Sequence, residues 1–310
     1  MDSALIASVI AATLVAGTPL IIVAVGELVV ERSGVLNLGA EGMMAVGAVA
    51  AFAAAHGGSS PGTAALVGML AGVSVSLLFG YVCLTMQANQ VAAGLALAIL
   101  GVGLAAFFGK PFESAPLPSV PPLRIPLLAD LPLLGPALFN HQVLVYLSWA
   151  LVAGAAWFLQ SSRPGLVLRA VGESPSAAHA VGYRVIAIRY AAVAFGGAMA
   201  GLGGAFLSVF YTPLWAEGMV AGRGWIALAL VVFATWRPLR VMLGAYLFGG
   251  VLVSQLFLQG AGLRIEVPAQ LLSALPYIAT IVVLVLISRN PATIRLNSPA
   301  SLGQAFRPDR

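Results

Sequence analysis

The sequence has 310 residues, of which 60% are hydrophobic and 8% are charged, and its formal net charge is +5. A soluble domain carries about 25% charged residues, so this composition argues against a soluble enzyme or a nucleic-acid-binding domain and indicates a polytopic membrane protein. The single cysteine, Cys83, excludes an intrachain disulfide, and the dispersed His56, His141 and His179 give no metal-binding pattern. Asp2 lies where a removable signal peptide has basic residues, so we expect none.

Apolar runs near 20 residues recur along the chain, and this length crosses a hydrocarbon core of roughly 30 Å. They predict an all-α transmembrane bundle of about 8–10 spans, with 1–310 as a single permease domain. Gly68 and Gly72, and likewise Gly197 and Gly201, have the spacing that lets two helices approach closely. In so glycine-rich a chain, chance is the favoured explanation for either pair taken singly. The predicted spans are 4–26, 40–56, 62–86, 91–109, 141–160, 189–211, 224–236, 240–259 and 268–288.

The first polar interruption is residues 27–44, ELVVERSGVLNLGAEGMM. Acidic side chains this close to hydrocarbon usually serve a path or a pair, and the glycines permit a broken helix of the kind that forms transporter sites. A surface loop with solvated Glu31 and Arg32 is the alternative, and the depth of 31–44 stays open. We predict that four polar residues line a substrate path, although the last two also suit a simple turn: Asn37, Glu41, Asn89 and Gln90.

Two loops differ in character. Residues 111–139 hold eight prolines, which exclude a membrane helix and predict an extended external loop. Residues 161–189 carry four arginines around a short capped helix, with Ser174 as the N-cap, Pro175 at the first helical position and Gly182 as the stop. Such a basic element suits contact with a cytoplasmic partner, and an ordinary surface loop is the alternative.

Arginine placement predicts the sidedness. With 161–189 in the cytoplasm, the 289–310 tail is also cytoplasmic, the N-terminus is outside, and eleven of the fifteen basic residues lie inside. The inside set is Arg32, Arg163, Arg169, Arg184, Arg189, Arg237, Arg240, Arg289, Arg295, Arg307 and Arg310; the outside set is Lys110, Arg124, Arg223 and Arg264.

Catalytic motifs do not occur in the sequence. The one lysine, Lys110, precedes Pro111, so the chain has no phosphate-binding Gly-Lys-Ser/Thr loop. Transport driven by ATP would need its energy source in another chain. Arg223, between two glycines, suits either an anionic ligand or a helix cap.

With these residues in view, the chain resembles the permease subunits of bacterial ABC importers. The similarity is to the branched-chain amino acid/simple sugar superfamily, nucleoside type, whose members pair with basic-membrane-lipoprotein-like receptors. A departure is Ala98, where many relatives have asparagine. The matching segments are ERSGVLNLGAEGMM (31–44), NQVAAGLAL (89–97), LGPALFN (134–140), RAVGESPSAAHAVGY (169–183) and YTP…AGRGWIALALVVFATWRP (211–238).

This resemblance implies a transport subunit of the bacterial inner membrane that is not itself an enzyme. Its partners would be a second permease subunit, an ABC ATPase with two fused nucleotide-binding domains, and a periplasmic or lipid-anchored substrate-binding protein. ATP and Mg²⁺ would bind to the ATPase, and this chain would hold no cofactor and no nucleic acid. The implied ATPase-coupling residues are Arg169, Gly172, Glu173, Ser174, Pro175, Ala177, Ala178 and Gly182.

The predicted function is ATP-driven import of a nucleoside or a similar small polar solute. An ABC permease for a simple sugar or a branched-chain amino acid is the second hypothesis. A stand-alone ion-coupled transporter is the third, and Glu27 and Glu41 are its candidate ion ligands.

Overall fold

The computed structural model describes residues 3–132, 134–260 and 297–307, with five further positions between 274 and 285. Helices dominate the described residues, whose one sheet pairs β1 (Leu123–Arg124) with β2 (Asn140–His141). This confirms the predicted all-α class. The helices are α1 (Ser3–Arg32), α2 (Ala40–His56), α3 (Pro61–Gly80), α4 (Gln90–Gly109), α5 (Leu134–Leu138), α6 (Val143–Ser161), α7 (Arg163–Glu173), α8 (Pro175–Ala180), α9 (Val185–Ala205), α10 (Arg223–Phe233) and α11 (Pro238–Gly260).

Five helices are long and apolar enough to cross a membrane: α1, α3, α4, α6 and α9. The helices α3 and α9 continue into π-helical turns at Tyr81–Thr85 and Phe206–Tyr211. Three further apolar stretches complete the described bundle: α2, α10 and the Pro238–Ser254 part of α11. The ninth predicted span, 268–288, falls outside the continuously described residues.

Helices α3 and α9 pack through their glycines. A Cβ added to Gly72 would lie 2.1 Å from the carbonyl oxygen of Gly197, and one added to Gly201 would lie 2.2 Å from that of Gly68. Both distances are far below van der Waals contact, so the two backbones touch directly. The two glycine pairs face each other, and chance was therefore the wrong explanation for their spacing.

The polar segment after the first span was predicted to begin at residue 27, but α1 continues to Arg32. The acidic residues on its last turns find donors within the protein. The Nδ2 group of Asn37 donates to Glu27 Oε1 at 2.8 Å, and the indole N–H of Trp236 donates to Glu31 Oε2 at 2.6 Å. Because both carboxylates are buried and paired in this way, the helix has no need to break at them.

The 161–189 loop contains two helices rather than one. The predicted short helix is α8, and its N-cap is confirmed, because Ser174 Oγ accepts from the N–H of Ala177 at 3.3 Å. The helix before it, α7, was not predicted. It has the same kind of start, with Ser162 Oγ accepting from the N–H of Gly165 at 3.1 Å.

Several turns between helices lie at one end of the bundle and contact one another. A guanidinium N–H of Arg32 donates to the Trp236 carbonyl at 3.0 Å, which joins the end of α1 to the α10–α11 turn. The Gln87 amide reaches the Phe306 carbonyl at 3.4 Å, and the Phe306 ring lies 5.8 Å from that of His179 on α8. This end, called the arginine end below, carries the turns that the charge pattern assigned to the cytoplasm.

The proline-rich segment lies at the opposite end. Its described residues form only short turns, α5 and the β1–β2 pair. Leu117 donates its N–H to the Pro213 carbonyl at 2.9 Å, and Phe112 packs against His56 at the end of α2 with ring centroids 5.5 Å apart. The segment therefore contacts the ends of the helices, and its described residues contain no membrane helix, as its prolines predict.

Candidate functional site

The connection between α1 and α2 is a non-helical segment of backbone within the bundle. Gly34 has φ +87° and turns the chain after Arg32, and Asn37 then lies fully buried. Asn37 donates to Glu27 and accepts the N–H of Gly39 at 3.0 Å through its Oδ1 atom. Its Oδ1 atom thus pairs one backbone N–H of this non-helical connection. The second oxygen of Glu27, Oε2, is buried and has no partner among the described residues.

The start of α4 packs against the same connection. Gln90 Oε1 accepts the N–H of Leu36 at 2.8 Å, while its buried Nε2 group has no partner among the described residues. Asn89 is exposed and caps α4 by accepting the N–H of Ala92 at 3.0 Å. The structure therefore brings Asn37 and Gln90 to one connection and leaves Asn89 at the helix start.

Glu41 joins the starts of two helices. It lies in the first turn of α2, and its carboxylate accepts the N–H groups of Gly222 and Gly224 at 2.8 and 2.7 Å, where α10 begins. A negative charge is favourable at a helix N-terminus because it meets the unpaired N–H groups and the positive end of the helix dipole. Glu41 thus supplies the negative charge that the N-terminus of α10 favours.

Glycine is required at this junction. Gly222 has φ +79°, and a Cβ on Gly224 would lie 2.6 Å from the backbone nitrogen of Glu41. Between them, Arg223 donates to the Met219 and Val220 carbonyls at 2.9 and 3.1 Å. These bonds tie Arg223 to the turn that precedes the helix.

The junction lies at mid-depth in the bundle. From it, α10 runs to the turn at the arginine end, and its 11 residues span about 17 Å at 1.5 Å per residue. From the same junction α2 runs the other way, to His56 beside Phe112. Residues 31–44 therefore descend from the arginine end to the middle of the bundle.

The helices α7 and α8 lie at the arginine end. Gly172 is pressed against α1, since a Cβ there would lie 2.2 Å from the Arg32 carbonyl oxygen. Ala178 is buried with Val171 and Val185. Of the predicted coupling residues, Gly172 and Ala178 face the bundle, Arg169 is half-buried, and Ser174 and Pro175 start α8. Glu173, Ala177 and Gly182 are exposed.

The segment 297–307 contacts α7 and the turn after α1. Ser301 Oγ donates to the Gly172 carbonyl at 2.7 Å, and the N–H of Gly303 donates to the Gly34 carbonyl at 3.1 Å. Fully buried Arg189 completes the arrangement, donating to Ser301 Oγ at 3.1 Å. The signal for this contact was an arginine within an otherwise apolar run.

Comparisons with known proteins agree with this architecture. Residues 9–287 match the family model described as the permease component of the branched-chain amino acid transport system. The chain is 38% identical to a putative glucose ABC transporter permease of Haloferax volcanii, over 97% of each chain. It is 32% identical to a nucleoside ABC transporter permease of Lactococcus lactis, over 90% of this chain and 91% of the relative.

A guanosine ABC transporter permease of Bacillus subtilis is 34% identical, over 92% of this chain and 93% of the relative. ABC permeases of this kind are not enzymes; in general they work with an ATPase and a substrate-binding protein. The family match and the apolar helices together indicate a multi-pass membrane protein. The chain belongs to the branched-chain amino acid transport system permease family of ABC transporters.

Proposed function

We propose that this chain is one of two permease subunits of an importer that carries a nucleoside or a similar small polar solute into a bacterial cell. A separate ABC ATPase, with two fused nucleotide-binding domains, would bind ATP and Mg²⁺. A periplasmic or lipid-anchored protein would deliver the solute at the end that bears the 111–139 segment. The 161–189 loop and the C-terminal segment would face the cytoplasm.

One observation carries the coupling role. Helix α8 lies at the arginine end, and Val181 and Tyr183, just beyond it, leave 78% and 43% of their surfaces exposed. Behind this apolar surface, α7 touches the end of α1 at Gly172, and α1 leads into the connection that holds Asn37. A displacement of α8 by the ATPase would therefore be transmitted through backbone contacts to the middle of the bundle.

The junction at Glu41 supports a translocation path near mid-depth. Transporters place polar sites where helices are interrupted within the membrane, and here α2 and α10 both begin there. Glu27 Oε2 and Gln90 Nε2, beside this connection, have no hydrogen-bond partner in the part of the chain that the structure describes. We propose that a polar solute passes Asn37, Glu41, Asn89 and Gln90, and that Glu41 holds the two helix starts in register while it does so.

The nucleoside assignment is supported by the two relatives whose names specify a nucleoside and guanosine. A simple sugar is the second candidate, and the relative named for glucose favours it. Uptake of labelled guanosine, glucose and leucine, in cells with and without this gene, separates them. We expect guanosine uptake alone to fall when the gene is deleted and to return when it is restored. Loss of glucose uptake with guanosine unchanged would replace the nucleoside by a sugar.

The coupling role gives a second prediction. The double variant Glu173→Lys with Ala177→Trp changes two exposed side chains on the face of α7–α8 proposed to meet the ATPase. We expect it to reach the membrane at normal levels but to lose co-purification with the ATPase and at least about tenfold of uptake, since a charge reversal and a bulky ring disrupt a packed interface. Ala178 is unsuitable for this test because it is buried.

The matched control reverses an exposed acid at the other end of the bundle, Glu217→Lys. It should keep ATPase co-purification at the wild-type level. Normal co-purification by the α7–α8 variant would contradict the coupling role.

A further inference from the structure

A pocket of about 470 Å³ at the arginine end is lined by four arginines. Arg32 ends α1, Arg169 lies on α7, and Arg237 and Arg240 flank the start of α11. These residues come from three separate parts of the sequence, so the concentration of positive charge is a product of the fold. Of its arginines, Arg169 also belongs to the predicted coupling residues, and none of the four belongs to the proposed path.

The arginines are poorly neutralised. None of the four forms an ion pair with another described residue. The described residues that line the pocket include no Asp or Glu. The Nε groups of Arg32 and Arg169 are buried without a hydrogen-bond partner in that part of the chain. The positive charges of Arg169 and Arg237 repel that of Arg32, whereas the negative charge of Glu173 attracts it. Buried, unpaired donors and mutual repulsion both favour a bound anion.

A strained turn presents Arg237. Thr235 and Trp236 have φ values of +49° and +54°, which non-glycine residues rarely adopt. Arg240 donates to Thr235 Oγ1 at 2.8 Å, and the Trp236 indole is fixed by Glu31. Such strain persists only where the surroundings enforce it, and it is concentrated at ligand sites.

The position of the pocket selects a lipid as the source of the anion. The pocket lies at the ends of α1 and α6 and the start of α11, the level at which lipid headgroups meet a membrane protein. One rim is Leu239, which starts a row of outward-facing leucines on α11 with Leu243 and Leu247; their exposed fractions are 59%, 65% and 45%. A row at this spacing forms one helix face, and it gives an acyl chain an apolar surface beside the arginines.

We propose that this pocket binds the phosphate group of an anionic phospholipid from the leaflet at the arginine end. The sidedness proposed above makes that leaflet cytoplasmic, where basic pockets between helices recognise such headgroups. Guanidinium groups suit the role because their planar donors match phosphate oxygens. The lipid would join α1, α7 and the α10–α11 turn, and it would neutralise their repulsion.

The test uses the purified full-length chain in a non-ionic detergent. Native mass spectrometry would compare retention of dioleoylphosphatidylglycerol and dioleoylphosphatidylcholine, with inorganic phosphate as a competitor. The pocket variant is Arg169→Gln with Arg237→Gln, and Arg237→Gln alone changes only an exposed side chain and leaves the fold intact. The matched control removes two exposed arginines from the same cytoplasmic loop but outside the pocket, Arg163→Gln with Arg184→Gln.

We expect the wild type to prefer phosphatidylglycerol over phosphatidylcholine. The double pocket variant should lose about tenfold or more of that preference, the single variant less, and the control about twofold at most. Equal losses in pocket and control variants, or equal retention of both lipids by the wild type, would overturn the proposal. Inorganic phosphate that binds without any preference for phosphatidylglycerol would assign the pocket to free phosphate instead. A lipid preference of the double pocket variant equal to that of the wild type would also overturn the proposal.

Discussion

Gly201→Leu is expected to remove nearly all folded protein from the membrane. The new Cβ would lie 2.2 Å from the carbonyl oxygen of Gly68, a backbone atom that cannot turn aside. Overpacking a core by a few methylene groups costs about 1–3 kcal/mol when side chains can adjust, and here two helix backbones must separate. Size-exclusion chromatography of a fluorescent fusion in detergent should show loss of the monodisperse peak.

The matched control is Gly103→Leu on α4. A Cβ at Gly103 meets nothing within 4 Å, so the same change of residue type should leave the peak in place. If the two variants give the same profile, the direct contact between α3 and α9 is wrong.

The second large effect is expected for Arg189→Leu. The guanidinium is fully buried and donates to the Ser33 carbonyl at 3.1 Å, to the Gln304 carbonyl at 3.2 Å and to Ser301 Oγ. Leucine would leave the buried Ser33 and Ser301 acceptors without this donor, at a cost on the order of 3 kcal/mol. Thermal unfolding in detergent should show a clear drop in Tm.

The exposed Arg184, one residue before α9, provides the control. Arg184→Leu should change the Tm little, because a surface substitution usually alters the free energy of unfolding by no more than about 0.5 kcal/mol. Ser301→Ala should fall between the two variants, since it removes one donor and one acceptor. Equal Tm values for Arg189→Leu and Arg184→Leu would show that Arg189 does not hold the C-terminal segment.

The sequence was most informative where structure is local. The Ser174 cap and Pro175 start of α8 depend on neighbouring residues only, and the structure confirms them. The apolar runs located the described spans for the same reason. The prolines of 111–139 likewise sufficed to exclude a membrane helix there.

Features that depend on distant partners could not be predicted in this way. The extension of α1 depends on Trp236, which lies 205 residues from Glu31. Arg189 was placed where the basic loop meets the predicted span 189–211, and its contact with Ser301, 112 residues further along the chain, could not be predicted from the neighbouring residues. The glycine pairs were visible, but only the fold shows that they face each other.

The candidate path residues show the same division. Asn89 and Gln90 were recognised as polar residues beside a turn, and Asn89 is indeed a helix cap. The contact of Glu41 with Gly222 and Gly224 joins two segments that had been singled out separately, 181 and 183 residues apart. Nothing in either segment alone specifies that they meet at mid-depth.

The central claim is that this chain moves its solute only when a separate ATPase drives it. The direct measurement is uptake of labelled guanosine and glucose in cells that make this chain and the second permease, with and without the ATPase. We expect the uptake that depends on this gene to disappear when the ATPase is deleted. Uptake that persists without the ATPase would contradict the account and identify an ion-coupled transporter, for which Glu27 would be the first residue to test.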